Sequence, residues 1–185
     1  GYTHMGGEGS NWVGEFAFSK RKHVFQNLGD GTYNHSGIQS IRAALGSGAN
    51  ITFKILYNDA VAMTGGQPHD GDIDARRIAE ELIGMGVKKV VAVVDEKEME
   101  WADFPKGVPV HPRAELMKVQ RELQEIEGVT ALIYMQPCAA EKRRRRKRGK
   151  FPNPPERVFI NPAVCEGCGD CGVQSNCIAI LPKET

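Results

Sequence analysis

Four short apolar stretches rich in β-branched residues alternate with segments whose apolar side chains recur at helical spacing, and this alternation confines the chain to an α/β fold. Val24–Leu28, Ile51–Tyr57, Lys89–Val94 and Val129–Met135 read as strands. Between them, Ile38, Ile41 and Leu45 form one helical face, and Ala75, Ile78, Ala79, Leu82 and Ile83 form another. Leu116, Val119, Leu123 and Ile126 form a third, in a helix that Pro112 can start and Gly128 closes. Continuously apolar strands separated by helices predict a mostly parallel sheet covered by helices on both faces. The Gly-rich first 20 residues, with Trp12, Phe16 and Phe18, read as an ordered loop.

The Pro-rich stretch Phe151-Pro152-Asn153-Pro154-Pro155 marks a boundary. The expected organisation is an α/β domain over 1–136, a basic, Pro-rich linker over 137–157 and a Cys-rich segment over 158–185. At 185 residues, 41% apolar and 25% charged, the chain has room for one such domain plus an appendage. No apolar run approaches the roughly 18 residues of a membrane span. The opening residues Gly1 to Gly9 lack a starting Met and read as an internal stretch, so a longer parent protein is expected.

The net charge of +1 conceals a local extreme. Lys142 to Lys150 put eight positive charges into nine residues, and the remainder, with 16 basic and 23 acidic side chains, carries −7. Four of the five cysteines lie within 13 residues near the C-terminal end. A secreted disulfide framework would spread them out, so the pattern predicts a reducing, cytoplasmic setting and one thiolate-ligated centre.

In open α/β sheets, ligands gather at the carboxyl ends of strands. Gly29-Asp30-Gly31-Thr32 lies at one predicted strand end, and Asn58-Asp59-Ala60 lies at the next, 28 positions after Asp30. One strand–helix–strand unit separates the two, so both emerge at the same edge. Glycine amides can approach an anion, and a carboxylate, an amide oxygen and a backbone carbonyl supply three hard ligands for Mg²⁺. Taken singly, each tripeptide is an ordinary turn.

Gly29-Asp30-Gly31 followed by Asn58 resembles the thiamine-diphosphate motif. The resemblance implies that Asp30, Asn58 and the Ala60 carbonyl hold Mg²⁺ on the cofactor's diphosphate, with Gly29, Gly31, Thr32, Thr64 and Gly65 in contact with the cofactor. Met63-Thr64-Gly65-Gly66-Gln67 is similar to the 2-oxoacid:ferredoxin oxidoreductases in particular. Met5 to Gly9, Pro137 to Gly149 and Cys165 to Cys171 resemble segments of the long, fused indolepyruvate ferredoxin oxidoreductases. That family implies oxidative decarboxylation of a 2-oxoacid, coenzyme A as acyl acceptor and ferredoxin as electron acceptor. It also implies that the carboxylate activating the cofactor comes from a separate pyrimidine domain, so the catalytic Glu is expected outside this chain. The chain alone is therefore expected to be inactive. A non-oxidative thiamine enzyme, and an iron–sulfur protein that binds nucleic acid, are the alternative readings.

Cys165, Cys168, Cys171 and Cys177 form C-x2-C-x2-C-x5-C. Three cysteines at x2 spacing suit one [4Fe-4S] cluster, with Cys177 the ligand furthest from the ferredoxin pattern. Zinc, which prefers two separated knuckles, and free thiols are the other readings. Cys138 reads as a buried or free thiol. The basic run suits docking of an acidic partner, a solvated linker or, third, nucleic acid. His35 and His69 follow the two strand-end loops but read as surface or structural residues. Glu8 is not favoured as the activating carboxylate.

Overall fold

The computed structural model describes residues 2–58, 60–61, 65–67, 71, 73–97, 99–156, 158–175 and 180, with the side chain of Trp101 excepted. It divides into two compact units, Gly1–Phe151 and Pro152–Thr185.

The first unit is built on five strands: β1 (Val24–Gly29), β2 (Ile51–Tyr57), β3 (Lys89–Val94), β4 (Val110–Pro112) and β5 (Val129–Met135). Their order is β1-β2-β5-β3-β4, and every pairing is parallel. The last strand therefore fills the gap left between the second and third. The expected parallel sheet is observed. Its central strands carry the longest buried runs, while β1 and β4 at the edges are only half-buried. β4 lies outside the four expected strands. It is three residues long and ends in Pro112, which can close an edge strand but not sit inside a sheet. Pro112 therefore precedes a 3₁₀ turn, Arg113–Glu115, rather than starting the helix itself.

Helices cover both faces. On one, α1 (Ser10–Glu15), α3 (Ile38–Ser47) and α4 (Ala75–Gly84) bury Trp12, Ile41, Ala44, Ile78 and Leu82 against Phe53, Ile55, Ala131 and Ile133. On the other, α5 (Leu116–Gln124) sets Val119 and Leu123 against Val91, Val93 and Leu132. The stretch expected as an N-terminal loop contains α1 and a 3₁₀ turn, Phe16–Phe18, and Trp12 is its anchor. Its indole donates to the Asn50 carbonyl at 2.9 Å. No helix among the described residues is long and apolar enough to cross a membrane.

The basic run, expected in a linker, forms most of α6 (Ala139–Lys147) and belongs to the first unit. The second unit has one helix among its described residues, α7 (Asp170–Ser175). None of its described residues is buried.

Candidate functional site

The carboxyl edge of the sheet collects the polar side chains that the strand-end rule anticipates. β1 runs through Gly29, and Asp30 begins a helical stretch rather than a loop. This stretch changes pitch twice, from α2 (Asp30–Thr32) through a π turn (Tyr33–Gly37) into α3. Such π turns recur at functional sites, because the extra residue re-aims nearby side chains. The Tyr33 hydroxyl anchors this one by donating to Glu81 at 3.0 Å. Burial, reinforced by the neighbouring Glu81 carboxylate, pushes the Tyr33 phenol far above its ordinary pKa and keeps it a donor.

Asp30 is buried, at 4% exposure. Its Oδ1 accepts from the Gly31 amide at 2.8 Å, and its Oδ2 accepts from the Asn58 amide at 2.8 Å. The latter bond spans the ends of β1 and β2, so the two predicted residues are joined directly. Asn58 Oδ1 accepts from the Ala60 amide at 3.1 Å. Thr32 is buried on the same turn as Asp30. Gly29, Asp30, Gly31, Thr32, Asn58 and Ala60 thus meet at one edge, as their spacing predicts. A hard cation fits the chemistry of this donor set: a carboxylate, an amide oxygen and a nearby carbonyl.

Gly65 lies in a turn closed by Val61 N to Gln67 O at 2.8 Å and Gly66 N to Val61 O at 3.0 Å. Thr64, His69 and Cys177 lie outside the described residues. His35 is exposed and shares a 2.6 Å hydrogen bond with Ser36, in keeping with a surface role. Glu8 accepts from the Gly6 amide at 2.6 Å and so closes its own turn.

Two further edge residues were not singled out by sequence reasoning. Gln136, beyond β5, donates to Asp95 Oδ2 at 2.9 Å and accepts from the Tyr134 hydroxyl at 2.7 Å. Asp95, beyond β3, also lies 3.5 Å from Arg113 Nη1. Applying the strand-end rule to β3 and β5 as well as β1 and β2 finds both. A cavity of about 310 Å³ opens here, lined by Leu56, Asn58, Tyr134, Gln136, Cys138 and Lys142. Cys138 is a half-buried free thiol at the start of α6.

The N-terminal Met5–Gly9 segment packs on the π turn and α3. Ser40 donates to the Gly6 carbonyl at 3.1 Å, and Ser10 and Ser40 share a 3.0 Å bond. A side chain at position 6 would overlap the Ser36 hydroxyl, with Ser36 Cβ 2.8 Å away, so only glycine allows this approach. A second, more open cavity of about 720 Å³ lies beside this segment, bordered by Tyr2, His4 and Gln39.

α6 sits on the same edge. Glu141 is 3% exposed and accepts from Arg145 Nε at 3.0 Å and Arg144 Nη1 at 3.3 Å. The Arg145 hydrogen bond above all, with Arg144 assisting, holds its carboxyl below the ordinary range despite burial. Lys142 and Arg146 lie over the Phe151 ring, at 5.9 and 5.3 Å. Arg143, Lys147, Arg148 and Lys150 are exposed.

In the second unit, Cys165, Cys168 and Cys171 are exposed free thiols. Thiolates suit iron–sulfur ligation chemically. Among the described residues, however, no three His, Cys, Asp or Glu side chains are gathered as a metal site.

Residues 1–103 match a protein family described as thiamine pyrophosphate enzyme, C-terminal TPP binding domain. Among curated relatives, the chain is 27% identical over 163 residues to "Indolepyruvate oxidoreductase subunit IorA" of Thermococcus kodakarensis. That match covers 87% of this chain and 23% of the relative. The protein of the same name from Archaeoglobus fulgidus is 28% identical over 194 residues, covering 88% of this chain and 30% of the relative. The chain thus spans about a quarter of the length of these relatives. A solved structure described as a candidate thiamin diphosphate-dependent enzyme from Mycobacterium smegmatis aligns with a TM-score of 0.49 at 20% identity. It covers 69% of this chain and 20% of its own.

Proposed function

The chain belongs to the thiamine pyrophosphate enzymes, through their C-terminal cofactor-binding domain, and from that premise we propose that it holds thiamine diphosphate and Mg²⁺ at the β1–β2 edge of a 2-oxoacid oxidoreductase. The observation that carries the reading is the buried Asp30 carboxylate bonded to the Asn58 amide across two adjacent strand ends. Asp30, Asn58 and the Ala60 carbonyl hold the cation. Gly29, Gly31, Thr32, Thr64 and Gly65 line the diphosphate path. When bound, thiamine diphosphate supplies the carbon nucleophile and electron sink needed for oxidative decarboxylation of a 2-oxoacid.

This chain's own residues bind and orient. Asp30 is fixed by two backbone amides, so it meets the cation without rearrangement, and preorganisation of this kind is what makes a binding group effective. No carboxylate at this edge is assigned to activating the cofactor; that group belongs to the enzyme's remaining domains or subunits. The names of the relatives support indolepyruvate as the substrate class and an assembly of several subunits. Cys165, Cys168, Cys171 and Cys177 are assigned to a [4Fe-4S] cluster that passes electrons to ferredoxin, and coenzyme A is the acyl acceptor. The exposed cations of α6 suit an acidic partner. The setting is cytoplasmic, in keeping with reduced thiols.

Calorimetric titration of thiamine diphosphate with Mg²⁺ into the full-length protein tests the site. Asp30→Ala should weaken binding by roughly 100-fold or more; binding at unchanged affinity would overturn the assignment.

A further inference from the structure

The sequence alone makes α6 a run of cations with no evident relation to the strand-end site. The structure shows a connection. Gly66 adopts φ +81°, and a side chain there would run into the Glu141 carboxylate, with Cδ 2.6 Å and Oε1 2.9 Å away. The carboxylate therefore lies directly against Gly66. Val61 directly follows Ala60; its amide donates to the Gln67 carbonyl, and its carbonyl accepts from the Gly66 amide. Ala60 in turn is tied to Asn58, and Asn58 to Asp30. A continuous path of contacts runs from the α6 arginines through Glu141 and Gly66 to the proposed cation ligands.

Resting on the thiamine reading, we propose that Glu141 is a positioning residue of the cofactor edge. It seats Gly66 and, through that residue's bond to Val61, steadies the Ala60 carbonyl and Asn58. Arg144 and Arg145 serve this role by neutralising and orienting the buried carboxylate. Two members of the basic run thus face inward as structural counter-charges. Arg143, Lys147, Arg148 and Lys150 remain the outward face. The same contact accounts for glycine at position 66, where a positive φ and the nearness of a carboxylate both exclude a side chain.

The test is made in the full-length protein with its partner subunits. Thiamine diphosphate with Mg²⁺ is titrated into wild type, Glu141→Gln, Gly66→Ala, Glu141→Ala and the Gly66→Ala/Glu141→Ala double variant. Glu141→Gln keeps the shape and removes the charge. It should weaken cofactor binding roughly tenfold, the scale of losing an outer-shell support. At saturating cofactor, kcat should stay near wild type, a split that a general loss of folded protein would not produce. Gly66→Ala should weaken binding similarly. The double variant should lose less than the sum of its parents, because the added methyl no longer meets a carboxylate and only the strain of the positive φ remains. Arg143→Ala, on the exposed side of the same helix, should bind as wild type does.

Absence of binding in the wild type would overturn the thiamine reading itself. Wild-type binding with an unchanged Kd in folded Glu141→Gln, or fully additive losses in the double variant, would overturn the positioning role alone. Failure of both Glu141→Gln and Gly66→Ala to fold would make the contact a requirement of the core, and would overturn it too.

Discussion

The two units present their candidate ligands in opposite physical states. Asp30 is buried, and each of its oxygens accepts a backbone amide. Cys165, Cys168 and Cys171 are exposed on a segment with no buried residue among those described, and Val158, Phe159, Val164 and Val173 are 74–100% exposed beside them. The first site draws its order from a sheet core covered on both faces. The second shows no comparable apolar burial among its described residues, and the proposed cluster would supply order there, as in small metal-dependent segments where binding energy is folding energy. A buried, hydrogen-bonded carboxylate and a row of exposed thiols can occupy one chain because only the former draws on a large core.

The largest effect that would sharpen this contrast is a cavity in the core of the first unit. Phe53→Ala, at a fully buried position on β2, should destabilise that unit by about 3–5 kcal/mol, read by denaturant unfolding. Val173→Ala, on the exposed α7, should stay within about 0.5 kcal/mol. A Val173 effect as large as the Phe53 effect would break the comparison.

Next in size, Asp30→Ala should cost roughly 100-fold or more in thiamine diphosphate affinity, because it removes a charged ligand and leaves two amides without their acceptor. Its melting temperature should also fall in the absence of cofactor, since the carboxylate's bond to the Asn58 amide ties together the ends of β1 and β2. A melting temperature unchanged by Asp30→Ala would show that the edge is organised only by its ligand.

A third test addresses the tail. Reconstitution with iron and sulfide should make residues 152–185 resistant to protease, and Cys168→Ser should remove both that protection and the cluster's visible absorption. The thiamine diphosphate Kd should be the same with or without the cluster. A changed Kd would show that the two sites are not independent.

The smallest effect concerns the π turn. Tyr33→Phe removes the hydrogen bond to Glu81 and should cost about 1 kcal/mol near neutral pH. Because the folded-state pKa of Tyr33 is raised above the ordinary value of 10.0, the neutral phenol stabilises the fold below that pH. This contribution is lost as pH climbs above it. Stability measured across alkaline pH should therefore fall less steeply in Tyr33→Phe than in wild type.

The meeting of Asp30 with Asn58 was legible in advance because it follows from local rules. Strand period, helix length and the common carboxyl edge of a parallel sheet leave residues 28 positions apart few other places to go. Edge strand β4 was not legible, since three residues ending in Pro112 carry no periodic signal. α1 was hidden for a related reason: Gly9 and Gly14 flank and interrupt it, and its stability comes from burying Trp12 rather than from helix propensity. The helix over the basic run ran against expectation as well. Like charges along one helix repel, and it is Glu141, buried and paired with two arginines, that offsets them.

By itself, the sequence determined the parallel α/β architecture, the edge where Asp30 and Asn58 meet and the cysteine spacing, because each depends on periodicity or on short separations along the chain. Only the tertiary structure decided that β5 inserts between β2 and β3, that Gln136 and Asp95 extend the polar edge, and that Glu141 lies under Gly66. Those outcomes depend on which distant surfaces bury one another, and a charge run reads the same whether its carboxylate faces solvent or a neighbouring turn.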